Sequence, residues 1–306
     1  MSYKTNLTFL VVGLLTLGAC SGGGDPSTPS PEPIKPVGKL PISISTSVTS
    51  RATDFAFEKG DQIGLFIVNH KSDGSASDLQ LSGNHVDNMK YTYDATWIPA
   101  TQTYWSDNST HADFYLYYPY TASLSSVNAM PCDVKEDQSS LENYKAGDLL
   151  IGKTMNVAPT ENAVKIDAKH VMSQMVIKLV AGNGFTDATL AAAKVSITIN
   201  RLKTHATANL ATGIVTNTGD DFNITPLKDG DSYKAIIVPQ AVGEGNLITV
   251  NVDGRDYNLG KASNLTAFET GKKYNFTVTL SKTSNGVNVG ITKWEEDNID
   301  YGGTAE

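Results

Sequence analysis

The groups that could carry covalent, metal or acid–base chemistry are few and scattered: two cysteines, Cys20 and Cys132, and five histidines spread over 306 residues. Cys132, in Met130-Pro131-Cys132-Asp133, could act as a nucleophile, but a lone cysteine is more often a small buried hydrophobe. His170 lies in a strand-like segment, Lys165 to Leu179, with no metal-ligating partner close in sequence, and reads as a packed or surface histidine. Glu295, Glu296 and Asp297 form the densest acidic cluster, which a solvated strand edge explains. Carboxylates distant in sequence could still converge as a glycosidase pair, and a linear reading leaves that open. There is no Gly-rich phosphate loop after a strand, no His-Glu-x-x-His, no nucleophile elbow and no paired-cysteine metal signature. The expectation is a protein that is not an enzyme, with no catalytic residue, no metal and no cofactor.

Charge narrows the partners. The net charge is −8, charged residues make up 18% of the chain, and Lys and Arg never cluster into a run. Phosphate neutralisation needs a basic surface, so nucleic acid is not an expected partner. Aromatics concentrate at Trp97, Tyr104 and Trp105 and in Phe114-Tyr115-Leu116-Tyr117-Tyr118-Pro119-Tyr120. Period-two alternation sends Phe114, Leu116 and Tyr118 to the core and Tyr115 and Tyr117 to the other face. Exposed there, Tyr115 and Tyr117, with Trp97 and Trp105, would be platforms for sugar faces; the plainer reading is a second packed layer.

The N-terminus is a targeting segment, not part of the fold. Lys4 precedes an apolar run from Leu7 to Leu17, too short to span a bilayer comfortably, and Leu17-Gly18-Ala19-Cys20 closes it. That ending resembles the lipobox of bacterial lipoproteins, in which the cysteine is lipidated and becomes the first residue. The resemblance implies a signal peptide over 1–19, lipidation at Cys20 and attachment to a membrane through the lipid. Ser21 rather than aspartate in the next position favours the outer membrane, with surface display. Cys132 is then the only remaining thiol, which rules out an intramolecular disulfide. From Cys20 to residue 40 the chain is rich in Gly, Ser, Thr and Pro and cannot bury a core. It reads as an extended tether, rising about 3.1 Å per residue where it is polyproline-like.

Beyond the tether, alternation recurs: Ile42, Ile44 and Val48; Ile63, Leu65 and Ile67; Phe114, Leu116 and Tyr118; Met175, Ile177 and Leu179; Val195, Ile197 and Ile199; Ile248, Val250 and Val252; Tyr274, Phe276, Val278 and Leu280. These predict half-buried strands. Asp253-Gly254 between two such runs predicts a two-residue hairpin. Thr186 to Ala193 predicts one short helix, capped by Asp187. Short strands at near-regular spacing argue for antiparallel sandwiches, and the length suits two domains. The expected division is 41–182 and 183–306, at the turn-rich Ala181-Gly182-Asn183-Gly184, with a break nearer Pro159 as the alternative.

Of the 24 basic residues only Arg51, Arg201 and Arg255 are arginine. Arg51 follows the first strand in Thr49-Ser50-Arg51-Ala52-Thr53, where small polar residues predict an accessible loop suited to proteolysis. A cut between Arg51 and Ala52 would free the strand Ile42–Val48. The groove left behind would expose unpaired backbone and the seats of Ile42, Ile44 and Val48, a template for strand addition. Val287, Val289 and Ile291 near the C-terminus offer a matching alternation. Asn285-Gly286 also favours a hairpin that folds this segment back on Tyr274–Leu280.

On Ser50-Arg51-Ala52, Phe57-Glu58-Lys59-Gly60-Asp61-Gln62-Ile63-Gly64-Leu65-Phe66, Phe114 to Tyr120, Asp148-Leu149-Leu150-Ile151-Gly152-Lys153, His170-Val171-Met172-Ser173-Gln174-Met175, Ile236-Ile237-Val238-Pro239-Gln240 and Gly271-Lys272-Lys273-Tyr274, the chain resembles the fimbrillin, or Mfa-like, family of lipidated pilus subunits. The resemblance runs over more than 200 residues. It implies an all-β fold of two tandem transthyretin-like antiparallel β-sandwich domains and a structural role in a fimbrium, for adhesion or biofilm formation. It further implies cleavage by an Arg-specific protease, with Arg51 as the processing position, and polymerisation with other fimbrial subunits by donor-strand exchange, with Val287–Ile291 as the donor. The competing reading is a surface glycan-binding lipoprotein of an outer-membrane uptake system, resting on Trp97, Trp105, Tyr115 and Tyr117.

Overall fold

Runs of β-branched and aromatic residues at period two make the chain overwhelmingly strand, in a computed structural model that describes residues 39–48, 56–282, 290–293 and 303–305. The first part contributes β1 (Ile44–Val48), β2 (Gln62–Asn69), β3 (Val86–Asp94), β4 (Thr96–Pro99), β5 (Ala112–Tyr118), β6 (Met130–Pro131), the short helix α1 (Leu141–Ala146), β7 (Leu150–Val157) and β8 (Val164–His170). Seven of these strands form one sheet in the order β1-β8-β7-β5-β2-β3-β4. The second part contributes β9 (Ser173–Ala181), α2 (Asp187–Ala192), β10 (Val195–Ala208), β11 (Val215–Ile224), β12 (Leu227–Asp229), β13 (Ser232–Ile237), β14 (Gln240–Ala241), β15 (Asn246–Val252), β16 (Arg255–Gly260), β17 (Ala267–Phe268), β18 (Lys272–Leu280), β19 (Gly290–Lys293) and β20 (Gly303–Ala305). These build a sheet β11-β10-β15-β16, which β6 joins at β10, and a sheet β12-β13-β9-β18-β19, which β20 joins at β18; β14 pairs with β17.

The fold is all-β, as the alternation predicts, but β2 and β5 are not half-buried. Ile63, Leu65, Ile67, Phe114, Leu116 and Tyr118 point into one core, shared with Tyr91, Trp97, Trp105 and Ile166. Phe66, Val68, Tyr115 and Tyr117 point into a second core, continuous with Met175, Ile197, Ile236, Val250 and Phe276. A sheet covered on both faces explains why Gln62–Asn69 and Ala112–Tyr118 read as almost unbroken apolar runs. The side of β5 on which Tyr115 and Tyr117 were candidates for exposure is the second packed layer.

Local signals set several joints. Asp253 and Gly254 take φ of 51° and 87°, the positive values that a two-residue hairpin requires, and they place Val252 opposite Arg255. The cap of α2 is Thr186, one residue before the expected Asp187: Thr186 accepts from the Thr189 N–H while Thr189 bonds back to the Thr186 N–H, the reciprocal pairing of a capping box. α1, whose N-cap is Ser140, buries no side chain and so carries no apolar periodicity that would announce it.

The expected break at 181–184 directly follows β9. That strand pairs antiparallel with β13 and parallel with β18, so it belongs to the sheet of the later strands. The change of sheet comes between β8 and β9, where His170 ends one and Ser173 begins the other.

Candidate functional site

The first strand is seated by three kinds of contact. β1 runs parallel to β8, Ile44 opposite Val164 and Val48 opposite Ala168, as the terminal strand of its sheet. Just before it, Ile42 N–H donates to the Thr103 carbonyl and Trp105 N–H to the Leu40 carbonyl, each at 2.9 Å, so the lead-in pairs antiparallel with a different segment. Ile42 and Ile44 are 2% and 5% exposed, and Val48 packs partly buried against the same core.

Two side-chain bonds hold the strand, one on each of its faces. Trp97 Nε1 donates to Thr46 Oγ1 at 2.9 Å, which brings β4, the far edge of the sheet, against β1 and rolls the sheet around its core. Ser47 Oγ donates to Asp167 on β8, and this hydroxyl is the main reason that the Asp167 carboxyl is held below its ordinary value, with Lys165 assisting. β1 is therefore an edge element with a well-filled apolar seat, the geometry that strand addition exploits. Arg51, Ala52 and Cys20 lie outside the described residues.

At the other end, β19 pairs antiparallel with β18 and sets Ile291 opposite Tyr274. Val287 and Val289 lie outside the described residues. The segment singled out as a donor thus has its last apolar residue in its own chain's sheet; Asn285 and Gly286 lie outside the described residues.

The four aromatic residues named for sugar stacking are a correction. Trp97, Trp105, Tyr115 and Tyr117 are 7%, 2%, 6% and 0% exposed. Trp105 packs edge-on against Phe114, Phe57 packs edge-on against Trp97, and Tyr117 Oη donates to Asn88 Oδ1 at 2.7 Å. Rings enclosed in this way offer no face to a sugar, because the two-faced burial of the sheet takes both sides of β5.

The isolated reactive groups are structural. Cys132 is buried, and burial, reinforced by Asp133, pushes its thiol up to about 12, so at neutral pH it is protonated and inert. His170 is buried with Nδ1 at 2.7 Å from Asp148 Oδ1. Among the described residues no three His, Cys, Asp or Glu side chains are grouped so as to hold a metal ion, and no helix is long and apolar enough to cross a membrane.

A family model described as fimbrillin-like matches residues 50–294. The chain belongs to this family. A relative from Bacteroides uniformis, named as a fimbrium subunit, Fim1C, is 28% identical over 312 residues, covering 96% of both chains. A second, named as a fimbrium tip subunit of Bacteroides ovatus, is 28% identical over 163 residues, which is 48% of this chain and 29% of that one. Among solved structures, one titled as a cell adhesion protein from Bacteroides uniformis superposes with a TM-score of 0.66 at 25% identity, covering 85% of this chain and 100% of that one. Another with a similar title, from Bacteroides ovatus, gives 0.69 at 16% identity over 85% and 99%, a likeness of fold alone.

For this fimbrillin-like chain, the family match begins at Ser50, immediately after β1, and ends at Trp294, just past β19.

Proposed function

We propose that this chain is a structural subunit of a fimbrium, exported as a lipoprotein and assembled by exchange of its first strand. On this reading 1–19 is removed, Cys20 carries the lipid that holds the subunit at the outer membrane, and 21–40 spans the gap to the folded body. An Arg-specific protease cuts between Arg51 and Ala52, β1 departs, and a strand from another fimbrial subunit takes its seat. The folded body is read as two β-sandwich domains of transthyretin-like kind. The finished fimbrium serves adhesion or biofilm formation.

The observation that carries the reading is the position of β1: it is a sheet edge on which Ile44 is nevertheless buried and Val48 partly so, ending three residues before Arg51. Emptying such a seat uncovers side chains worth about 1.5–3 kcal/mol each and ladder hydrogen bonds of about 0.5–1.5 kcal/mol each, which an incoming strand recovers. Val287, Val289 and Ile291 supply the alternation such a strand needs, and β19 has to leave β18 to supply it. Electron microscopy of cells carrying the wild-type gene, the Arg51→Ala gene or a deletion tests the reading. Filaments decorated by antibody to this chain are expected only with the wild type; decorated filaments of normal length with Arg51→Ala contradict it.

A further inference from the structure

A cleft of about 830 Å³ opens where the seat of β1 ends. Its walls are 151–153 of β7, the last residues of β8, and the 211–213 and 270–272 turns. The last matched pair of β1 and β8 is Val48 with Ala168, and the next residue of β8, Lys169, already lines the cleft. Alternation along β8 buries Val164, Ile166 and Ala168 and turns Lys165, Asp167 and Lys169 to the other face. Seat and cleft are thus the two faces of one strand, offset along its length. Ser47 shows how a strand in the seat reaches the cleft: its hydroxyl bonds Asp167, a lining residue.

The cleft is basic in a chain whose net charge is −8. Lys153, Lys169 and Lys272 line it against one carboxylate, Asp167, which Ser47 and Lys165 already share. Lys153 Nζ donates to the Ala211 carbonyl at 2.9 Å, and Lys272 pairs with Glu269. Lys169 is exposed, and no carboxylate among the described residues pairs with it. The candidate donor matches this layout. Val287, Val289 and Ile291 have the spacing of Ile44, Thr46 and Val48, and the densest acidic run of the chain, Glu295-Glu296-Asp297, follows them. A donor lying parallel to β8 with Ile291 in the place of Val48 sets Thr292 opposite Lys169. At about 3.3 Å per residue, the acidic run then follows about 10–17 Å further on, on the cleft side of the seat. An antiparallel donor would send the same residues to the other end of β8, away from the lysines.

We propose that this cleft receives the acidic run Glu295-Glu296-Asp297 of an incoming second copy, whose donor strand enters parallel to β8 and is clasped by charge beyond the seat. This rests on the strand-exchange reading and adds to it a direction, a register and a second anchorage. The test uses the full chain cut at Arg51. Ladders are formed by the parent, by a tail variant (Glu295→Gln, Glu296→Gln, Asp297→Asn), by a cleft variant (Lys169→Glu, Lys272→Glu), and by a swapped chain that joins the cleft variant to Glu295→Lys and Glu296→Lys. Their dissociation is timed in mild urea at low and high salt. Tail and cleft variants are expected to dissociate about three- to tenfold faster than the parent at low salt, with the gap closing at high salt, and the swapped chain to recover most of the parental lifetime. If the cleft variant melts below the parent, the tail variant decides alone. Tail-variant ladders with the parental lifetime, or a swapped chain no better than the cleft variant, overturn the clasp and leave strand exchange standing; no ladders from the parent remove both. A tail variant that lowers the melting temperature of the uncut chain without shortening ladder lifetime would seat the chain's own tail in the cleft, and also overturns the proposal.

Discussion

Trp97 on β4 donates its indole N–H to Thr46 on β1 at 2.9 Å, so the two edges of a seven-stranded sheet are latched across its open side. The bond joins a strand that belongs permanently to the sheet to one that, on the proposed mechanism, must leave. The seat is held by packing that Ile42 and Ile44 share with the core and by a few bonds at the rim.

Thr46→Val keeps the shape and removes the acceptor, leaving the buried indole N–H unpaired, a cost of about 1–3 kcal/mol. The loss is expected locally. Amide exchange should quicken at Ile44–Val48 while β5 and β18 keep their protection, and uniform acceleration across all strands would place β1 in the global folding unit instead.

Gly64 faces Tyr117 across the β2–β5 pair, and a Cβ there would lie 2.1 Å from the Tyr117 ring. That ring is fully enclosed and cannot swing aside. Gly64→Ala is expected to destabilise the chain by about 1–3 kcal/mol, the usual cost of overpacking, seen as a lower urea midpoint at unchanged slope. A parental midpoint would mean that the ring has room to move.

Both ring nitrogens of His70 face acceptors, Nε2 the Asp113 Oδ1 at 2.9 Å and Nδ1 the Gly74 carbonyl at 3.1 Å. The bond to Asp113 raises its pKa above the ordinary histidine value, against desolvation, with the Gly74 carbonyl adding to the rise. A pKa raised on folding stabilises fully below the unfolded value and is lost as pH climbs through the folded one. The melting temperature should therefore fall as pH rises from about 6 into the range above the raised value. His70→Gln should flatten that slope, and an undiminished slope in the variant would assign it to other groups. The neighbouring His111, bonded through Nδ1 to Asn156 Oδ1 at 2.7 Å, is the control substitution.

Cys132 should resist alkylation by iodoacetamide at pH 8 in the folded chain and react at the rate of a free thiol in urea, because burial holds it protonated. Prompt labelling of the native chain would show that the 130–134 segment opens.

Much of this architecture is legible in the sequence where one local rule decides. Asp253-Gly254 forms its hairpin because few residue pairs tolerate two positive φ values, and the alternating runs become strands. What is hidden is which strands share a sheet. Met175, Ile177 and Leu179 alternate whether β9 pairs before it or after it, and the turn at Gly182 marks the end of a strand without marking the end of a sheet. Tyr115 and Tyr117 show the same limit: period two separates the faces of β5 but cannot say that both are covered. The basic cleft is hidden for the same reason, because Lys153, Lys169 and Lys272 meet only where β7, β8 and β18 come together.

The most direct test is digestion of the purified precursor with an Arg-specific protease, followed by mass analysis and electrophoresis without boiling. The account predicts a first cut between Arg51 and Ala52, loss of the segment that carries β1, and ladders that resist mild denaturant, while the Arg51→Ala chain stays intact and monomeric. Ladders formed by Arg51→Ala at the parental rate, or a trimmed chain that keeps the β1 segment bound and never assembles, would contradict it.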